Sequence, residues 1–441
     1  MIQLDIIDWG VWLFLVAVVG FFLYLRQRTS NFTGSIYLMR GYFLKVFGGL
    51  SFALLYIYYY GGGDTAEYFR STSTLNELLA SEPETYLKLL SLSPEEAQPV
   101  LRNANKVIFY SHTAEEWFMV KLISPFIFLG FNSYLGVTFL MSLLSFSGSF
   151  KLFQLMNKIL PDKMGLIFGI NFLIPTSLFW TSGLLKDTIT FTCFAFLCSF
   201  FYSVIYEQKH RLLYLLLIPV IIYITLNLKA YIIISFALWV LITLLFATTS
   251  SIKNTVVKYL TGPIIIVTMI AFGYLGISYM IQNNQEYNAE NLFSKIRGFH
   301  TWHTQLGGSA YNLGEMEYTE IGLLQKVPAA INVSLFRPYP WESGSALVLL
   351  NSLESMCMLL LVAWTIFKVR LRFFRHLFKN PYLTGGLVFC LFFAFSIGIT
   401  SYNFGALSRF KVPLTAIFVF ILVYTINQER LSRSKSKKRI P

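Results

Sequence analysis

Three glycines and an aspartate, Gly61, Gly62, Gly63 and Asp64, open the segment GGGDTAEYFR, Gly61–Arg70. Glycine lets a backbone turn sharply and leaves room for a ligand beside the carboxylate. Asp64, Glu67 and Arg70 recur at three-residue spacing, so a helix restarting there brings them onto one face. A carboxylate so placed can act as a general base. It can equally be the ordinary acidic first turn of a helix after a glycine hinge. A second signal is PTSLFWTSGLLKDTITF, Pro175–Phe191, where Lys186 and Asp187 stand between two apolar runs. Ionisable residues at a membrane boundary are site candidates by default. The Lys186 ammonium suits a phosphate as a compact point charge; the alternative is an exposed, mutually neutralising pair that caps a helix.

Three further groups have chemical potential. The segment Lys295–Gly314 combines His300, Trp302, His303 and Gln305. Aromatic faces with amide and imidazole groups suit a sugar, and the alternative is a structured loop whose histidines cap or pack. No carboxylate stands at a zinc spacing from His300 and His303, so neither a metal nor another cofactor is expected. In FRPYPWE, Phe336–Glu342, Tyr339 and Trp341 fit an interfacial aromatic belt, with Arg337 and Glu342 as candidate ligand contacts. In SYNFGALSRFKVP, Ser401–Pro413, Arg409 and Lys411 could bind a lipid phosphate.

The elements that must position these residues are apolar helices. Of 441 residues, 55% are hydrophobic and 13% charged, more grease than a soluble core needs. About eleven apolar runs approach the roughly 20 residues needed to cross a bilayer, near 9–25, 42–60, 121–155, 164–180, 187–206, 211–228, 231–248, 260–280, 346–367, 382–400 and 411–427. The fold expected is an all-α polytopic transmembrane bundle, a single domain over 1–441. Within 121–155, Pro125 and Gly130 interrupt the run, so Met119–Leu129 is either an interfacial or re-entrant helix or part of the span.

The net charge of +13 is mostly topological, and nucleic acid is a poor explanation for it. Arg26, Arg28 and Arg40, Lys158 and Lys163, Lys209 and Arg211, Lys253 and Lys258, Lys368–Lys379 and the basic tail over 428–441 all fall on one side of that arrangement. The positive-inside rule makes that side cytoplasmic, with the amino terminus outside and the carboxyl terminus inside; Lys229 is the exception. Two large loops, 61–118 and 281–345, then face outward. The first is acidic, and helical spacing from Leu75 to Leu101 (Leu79, Leu87, Leu90, Leu92) predicts amphipathic helices on the membrane surface. Cys193, Cys198, Cys357 and Cys390 lie in apolar runs and read as small buried hydrophobes. The start MIQLDIIDWG lacks the features of a cleaved signal, so the first helix is expected to stay.

Asp64 in the first outward loop, the amphipathic segments after it, the Phe179–Asp187 turn and the closing Asn403, Gly405, Arg409 and Pro413 together resemble GT-C-type glycosyltransferases that use polyprenyl-phosphate-linked sugars. They resemble equally the O-antigen-polymerase-like proteins of bacterial envelope polysaccharide synthesis. In GT-C enzymes the acidic loop follows the first helix; here it follows the second. Either a helix has been added at the amino terminus, or Asp64 is not the equivalent residue. The resemblance implies transfer of a sugar or oligosaccharide from a polyprenyl (pyro)phosphate donor to an acceptor, outside the bacterial cytoplasmic membrane. Asp64 would be the base, and Lys186, Arg409 and Arg337 would bind phosphate. Glu67, Arg70, Asp187, His300, Trp302, His303, Gln305 and Glu342 would contact substrate. The partners implied are the lipid bilayer, the lipid-linked donor and a glycan acceptor. Two other classes stand beside this one: a lipid-linked oligosaccharide flippase or other transporter, and a noncatalytic subunit of an envelope assembly.

Overall fold

The computed structural model describes residues 2–30, 34–251, 294, 297–298, 301, 309–317 and 319–437. Among these residues the regular structure is helical, with one isolated antiparallel bridge between Ala310 and Asn403. The chain divides into two units, Met1–Ile233 and Ile234–Pro441.

The first unit contains α1 (Ile6–Thr29), α2 (Ile36–Tyr58), α3 (Gly63–Ser81), α4 (Pro83–Ser91), α5 (Pro94–Asn103), α6 (Ala114–Leu129), α7 (Tyr134–Ile159), α8 (Met164–Phe172), α9 (Pro175–Trp180) and α10 (Lys186–Tyr202). It ends within α11 (Arg211–Ser251). Helix α7 is the centre, packed by α10, α2, α1, α8 and α6. Small residues allow that approach: a Cβ on Gly49 of α2 would collide with the Ser142 hydroxyl of α7, and one on Gly148 would meet Thr192 of α10. By contrast α1 buries only Gly20; Leu13, Phe14, Phe21 and Phe22 turn outward, as suits a helix whose solvent is lipid, while Trp9 and Trp12 pack on the core. Asp5 and Asp8 close its start as a capping box.

Several expected boundaries are corrected. The run 121–155 is two helices, because the chain leaves α6 at Gly130 and turns through Phe131 and Asn132 at positive φ before α7 begins. The run 164–180 breaks between α8 and α9, where Pro175 has no N–H to continue the first helix. The expected helices 211–228 and 231–248 need no such correction: they are the two parts of α11, which meet at Lys229, whose φ of −154° and ψ of 81° lie outside the helical region. The expected helix 260–280 lies outside the described residues.

The acidic loop is three helices folded against α6. Asn76 Nδ2 donates to the Ser124 carbonyl at 2.9 Å, and the Tyr86 and Ser124 hydroxyls meet at 2.6 Å. Leu75, Leu78, Leu89 and Leu101 form its buried face with Trp117 and Ile123. Of the expected apolar stripe, Leu79, Leu90 and Leu92 pack against this face, whereas Leu87 is 63% exposed.

The second unit comprises α12 (Glu320–Gln325), α13 (Val327–Phe336), α14 (Ala346–Val369), α15 (Arg372–Leu377), α16 (Pro381–Thr400), α17 (Phe404–Phe410) and α18 (Val412–Lys437), with the end of α11. Helix α16 packs on α13 and α18, and α18 also packs on α14. Trp239 of α11 donates its indole N–H to the Tyr382 carbonyl at 2.7 Å. Cys193, Cys198 and Cys390 are buried, but Cys357 is exposed on α14, which corrects its expected burial. Eight described helices are long and apolar enough to cross a bilayer: α1, α2, α7, α10 with the turn that extends it to Glu207, α11, α14, α16 and α18. The chain is an all-α integral membrane protein.

Candidate functional site

Asp64 owes its position to the glycines before it. Gly61, Gly62 and Gly63 all have positive φ, at 70°, 127° and 62°, a path that side-chain-bearing residues follow only at a cost. This turn reverses the chain after α2 and sets Asp64 in the first turn of α3. There its carboxylate meets the partial positive charge of the helix end. Glu67 and Arg70 follow on the same helix and pair at 3.5 Å, with Arg70 largely exposed.

Tyr110 ties this helix to the rest of the site. Its hydroxyl donates to Asp64 Oδ1 at 3.3 Å, its N–H donates to Ser71 Oγ at 3.3 Å, and its ring lies 4.6 Å from that of Tyr68. Burial pushes the Tyr110 phenol well above the usual tyrosine range, helped by the negative charges of Asp64, Glu116 and Glu67. The phenol therefore stays protonated and able to donate. Glu116, which contributes to that field, accepts from Lys186 Nζ at 2.9 Å, and Glu115 accepts from the same ammonium at 3.3 Å. Asp64 and Lys186 are thus connected by a hydrogen bond to Tyr110 at one end, an ion pair with Glu116 at the other, and an electrostatic interaction between Tyr110 and Glu116.

Lys186 and Asp187 are not the exposed, mutually neutralising pair that was one reading of the turn. Both are buried, and each faces a different partner. Lys186 takes the two glutamates from the first turn of α6, while Asp187 takes Lys229 at 2.6 Å from the break in α11. Two buried opposite charges at such a distance interact strongly, and that interaction offsets a large desolvation cost. The cluster is acidic overall, since Asp64, Glu67, Glu115, Glu116 and Asp187 face Arg70, Lys186 and Lys229.

The second unit carries its own polar group. Arg337 holds Glu342 through Nε at 2.9 and 3.1 Å and through Nη2, and Glu342 also accepts the Tyr339 N–H at 2.8 Å. Burial pushes the Glu342 carboxyl up, but Arg337 and the Tyr339 N–H outweigh it and hold the group below the usual carboxylate range. The Arg337 guanidinium lies over the Phe404 ring at 5.4 Å. Arg409 is half-buried on α17, and Lys411 donates to Ser355 Oγ at 3.1 Å. Glu354, Ser355 and Lys411 line a small cavity with Ser334 and Met358. Asp64, Glu67, Arg70, Lys186 and Asp187 thus belong to the first unit, and Arg337, Glu342 and Arg409 to the second. His300, Trp302, His303 and Gln305 lie outside the described residues. Among the described residues, no three His, Cys, Asp or Glu side chains are grouped to hold a metal ion.

Sequence reasoning missed Tyr110, and it gave Glu115 and Glu116 no role; nothing local marks any of the three as a partner. It also missed Lys45, which had a readable signal as a lone ammonium within an apolar run. Lys45 is fully buried in α2, where its Nζ donates to the Thr181 hydroxyl at 2.6 Å and lies 5.4 Å from the centre of the Phe191 ring. Ser145 of α7 donates to the same Thr181 oxygen at 3.1 Å. Among the described residues no carboxylate lies within ion-pair distance of Lys45.

No family model, no curated protein and no solved structure matches the chain.

Proposed function

We propose that this protein is a membrane glycosyltransferase or polysaccharide polymerase. It takes a sugar or oligosaccharide from a polyprenyl (pyro)phosphate and passes it to an acceptor on the extracytoplasmic side of a bacterial cytoplasmic membrane. The observation that supports this reading is the pair of contacts at the two candidate residues, Asp64 with Tyr110 and Lys186 with Glu116, and the electrostatic interaction of Tyr110 with Glu116. In this reading the topology has eleven spans, the amino terminus is outside, and the acidic helices α3, α4 and α5 lie at the outer rim.

The attacking hydroxyl gives its proton to Asp64 as its oxygen bonds to the anomeric carbon. The bond from that carbon to the phosphate oxygen breaks with its electron pair remaining on the phosphate. Attack from the opposite face inverts the anomeric configuration. Tyr110 holds the Asp64 carboxylate in place through its hydrogen bond. Lys186 supplies positive charge toward the leaving phosphate and exchanges Glu115, its longer contact, for a phosphate oxygen. The resemblance further assigns phosphate binding to Arg409 and Arg337, and sugar binding to His300, Trp302, His303 and Gln305.

A specific observation favours a second reading, transport. Lys45 is buried inside a span without a carboxylate partner among the described residues, and Asp187 and Lys229 pair at a break in α11. Intramembrane charges and broken helices are what carriers use. Asp64→Asn and Lys45→Met in reconstituted protein separate the two. A transferase with Asp64→Asn still binds lipid-linked donor and loses turnover, whereas a carrier is indifferent to that change and loses flux with Lys45→Met.

A further inference from the structure

Glu429 is a carboxylate with too many cations. It lies near the end of α18, is only 3% exposed, and accepts from Arg433 Nε at 2.6 Å on its own helix. From α15 it also receives Arg372 Nη1 at 3.1 Å and His376 Nε2 at 3.0 Å. One negative charge therefore holds two guanidiniums and an imidazole at one place. The two arginine side chains remain 51% and 52% exposed. Arg433 spends a further N–H on the Lys368 carbonyl at 2.9 Å, which draws the end of α14 into the same group. Arg370, Arg375 and Lys379 are exposed on the same connection between α14 and α16. The positive charge is thus in excess, and it is fixed in position rather than spread over mobile side chains.

The apolar surroundings give this charge a depth. Trp364, Phe367, Leu371, Phe374 and Phe378 are all exposed around the basic residues. The Lys368 ammonium lies 4.6 Å from the Trp364 ring centre. Large exposed aromatics beside lysine and arginine at the end of a span mark the level of lipid headgroups. A ligand here meets hydrocarbon-compatible rings on one side and guanidiniums on the other. A phospholipid with a net negative headgroup has both halves of that chemistry, and a soluble anion has one.

We propose that Arg372 and Arg433, held by Glu429, form a binding site for the phosphate of an anionic phospholipid. Glu429 and His376 act as positioning residues: they hold the guanidiniums and leave their remaining N–H groups for the phosphate oxygens. The site is independent of the reaction proposed above.

The test uses the full-length protein in nanodiscs made of equal parts phosphatidylglycerol and phosphatidylcholine, with native mass spectrometry of the lipid retained. The wild type retains phosphatidylglycerol preferentially. Each basic group at an anionic surface is worth about a fivefold change in partition, so Arg372→Gln with Arg433→Gln lowers phosphatidylglycerol affinity roughly 25-fold. Arg102→Gln, on helix α5 of the first unit, leaves it unchanged. Because the double variant leaves the buried Glu429 carboxylate without its two guanidiniums, the triple variant that adds Glu429→Gln removes that buried charge as well and must show the same loss. Equal preference in the wild type and the triple variant overturns the proposal. So does inorganic phosphate if it raises the thermal midpoint of the detergent-solubilised protein as much as phosphatidylglycerol does, since the site then takes a free anion.

Discussion

Lys229 Nζ lies 2.6 Å from Asp187 Oδ1, with the Asp187 side chain buried and that of Lys229 only 10% exposed. Lys229 is the basic residue that breaks the charge bias of the loops, and the pair supplies a reason for it: it answers a carboxylate in the first turn of α10. Removing one partner takes from the other the opposite charge that faces it at 2.6 Å. Asp187→Asn or Lys229→Met alone should cost about 3–5 kcal/mol. Asp187→Leu combined with Lys229→Met should recover most of that loss. Thermal unfolding in detergent, followed for the two single variants and the double, checks this as a cycle.

The triple glycine makes a second prediction. Gly62 has φ 127° and ψ −74°, a region nearly closed to any residue with a Cβ. Gly62→Ala should cost about 1–3 kcal/mol and disturb Asp64 two residues later. Gly10→Ala, on α1 with no atom near the added methyl, should be neutral or mildly stabilising. Midpoints of unfolding for the two variants, measured side by side, decide it.

Tyr110 should impose an alkaline limit. Its phenol is raised above the ordinary value in the folded protein, by burial first and then by Asp64, Glu116 and Glu67. A group whose folded pKa is raised contributes stability that is complete below its unfolded pKa and is lost as pH rises toward the folded one. The loss should therefore begin near pH ~10, the ordinary tyrosine value. Tyr110→Phe should remove that part of the alkaline slope while lowering stability at neutral pH by about 1 kcal/mol for the lost hydrogen bond. The readout is the difference in unfolding midpoint between wild type and variant across the alkaline range.

Glu342 should act in the opposite direction. Despite burial, Arg337 and the Tyr339 N–H hold its carboxyl below the usual range. A depressed carboxylate contributes stability above its unfolded pKa of roughly 4.3 and loses it as pH falls through the folded value. Glu342→Gln should thus be less stable than wild type at neutral pH, and the two should converge in acid. A difference that persists unchanged at low pH contradicts the ion pair.

What was legible in the sequence was what is local. Gly61–Gly63 announced a turn, Pro175 a break, and the spacing of Asp64, Glu67 and Arg70 a shared face, which α3 provides. The break in α11 fell where a lysine interrupts an apolar run. What was not legible is what depends on pairing across the chain. Lys186 meets Glu116 across 70 residues, Asp187 meets Lys229 across 42, and Tyr110 meets Asp64 across 46. No periodicity encodes such choices. They follow from how α3, α6 and α10 pack, and that is set by small residues and shapes that composition does not rank. That Leu87 faces outward while Leu79, Leu90 and Leu92 pack inward has the same origin, the contact of α3 and α4 with α6.

The central claim is that Asp64 performs chemistry at this cluster. Purified wild type and Asp64→Asn, reconstituted with polyprenyl-linked glycan and a glycan acceptor, should bind the donor equally. Wild type should consume it, and the variant should be slower by about 10²–10⁴-fold, the contribution of a positioned general base. Donor that persists with wild type across varied glycans, or is consumed equally fast by both proteins, contradicts the account.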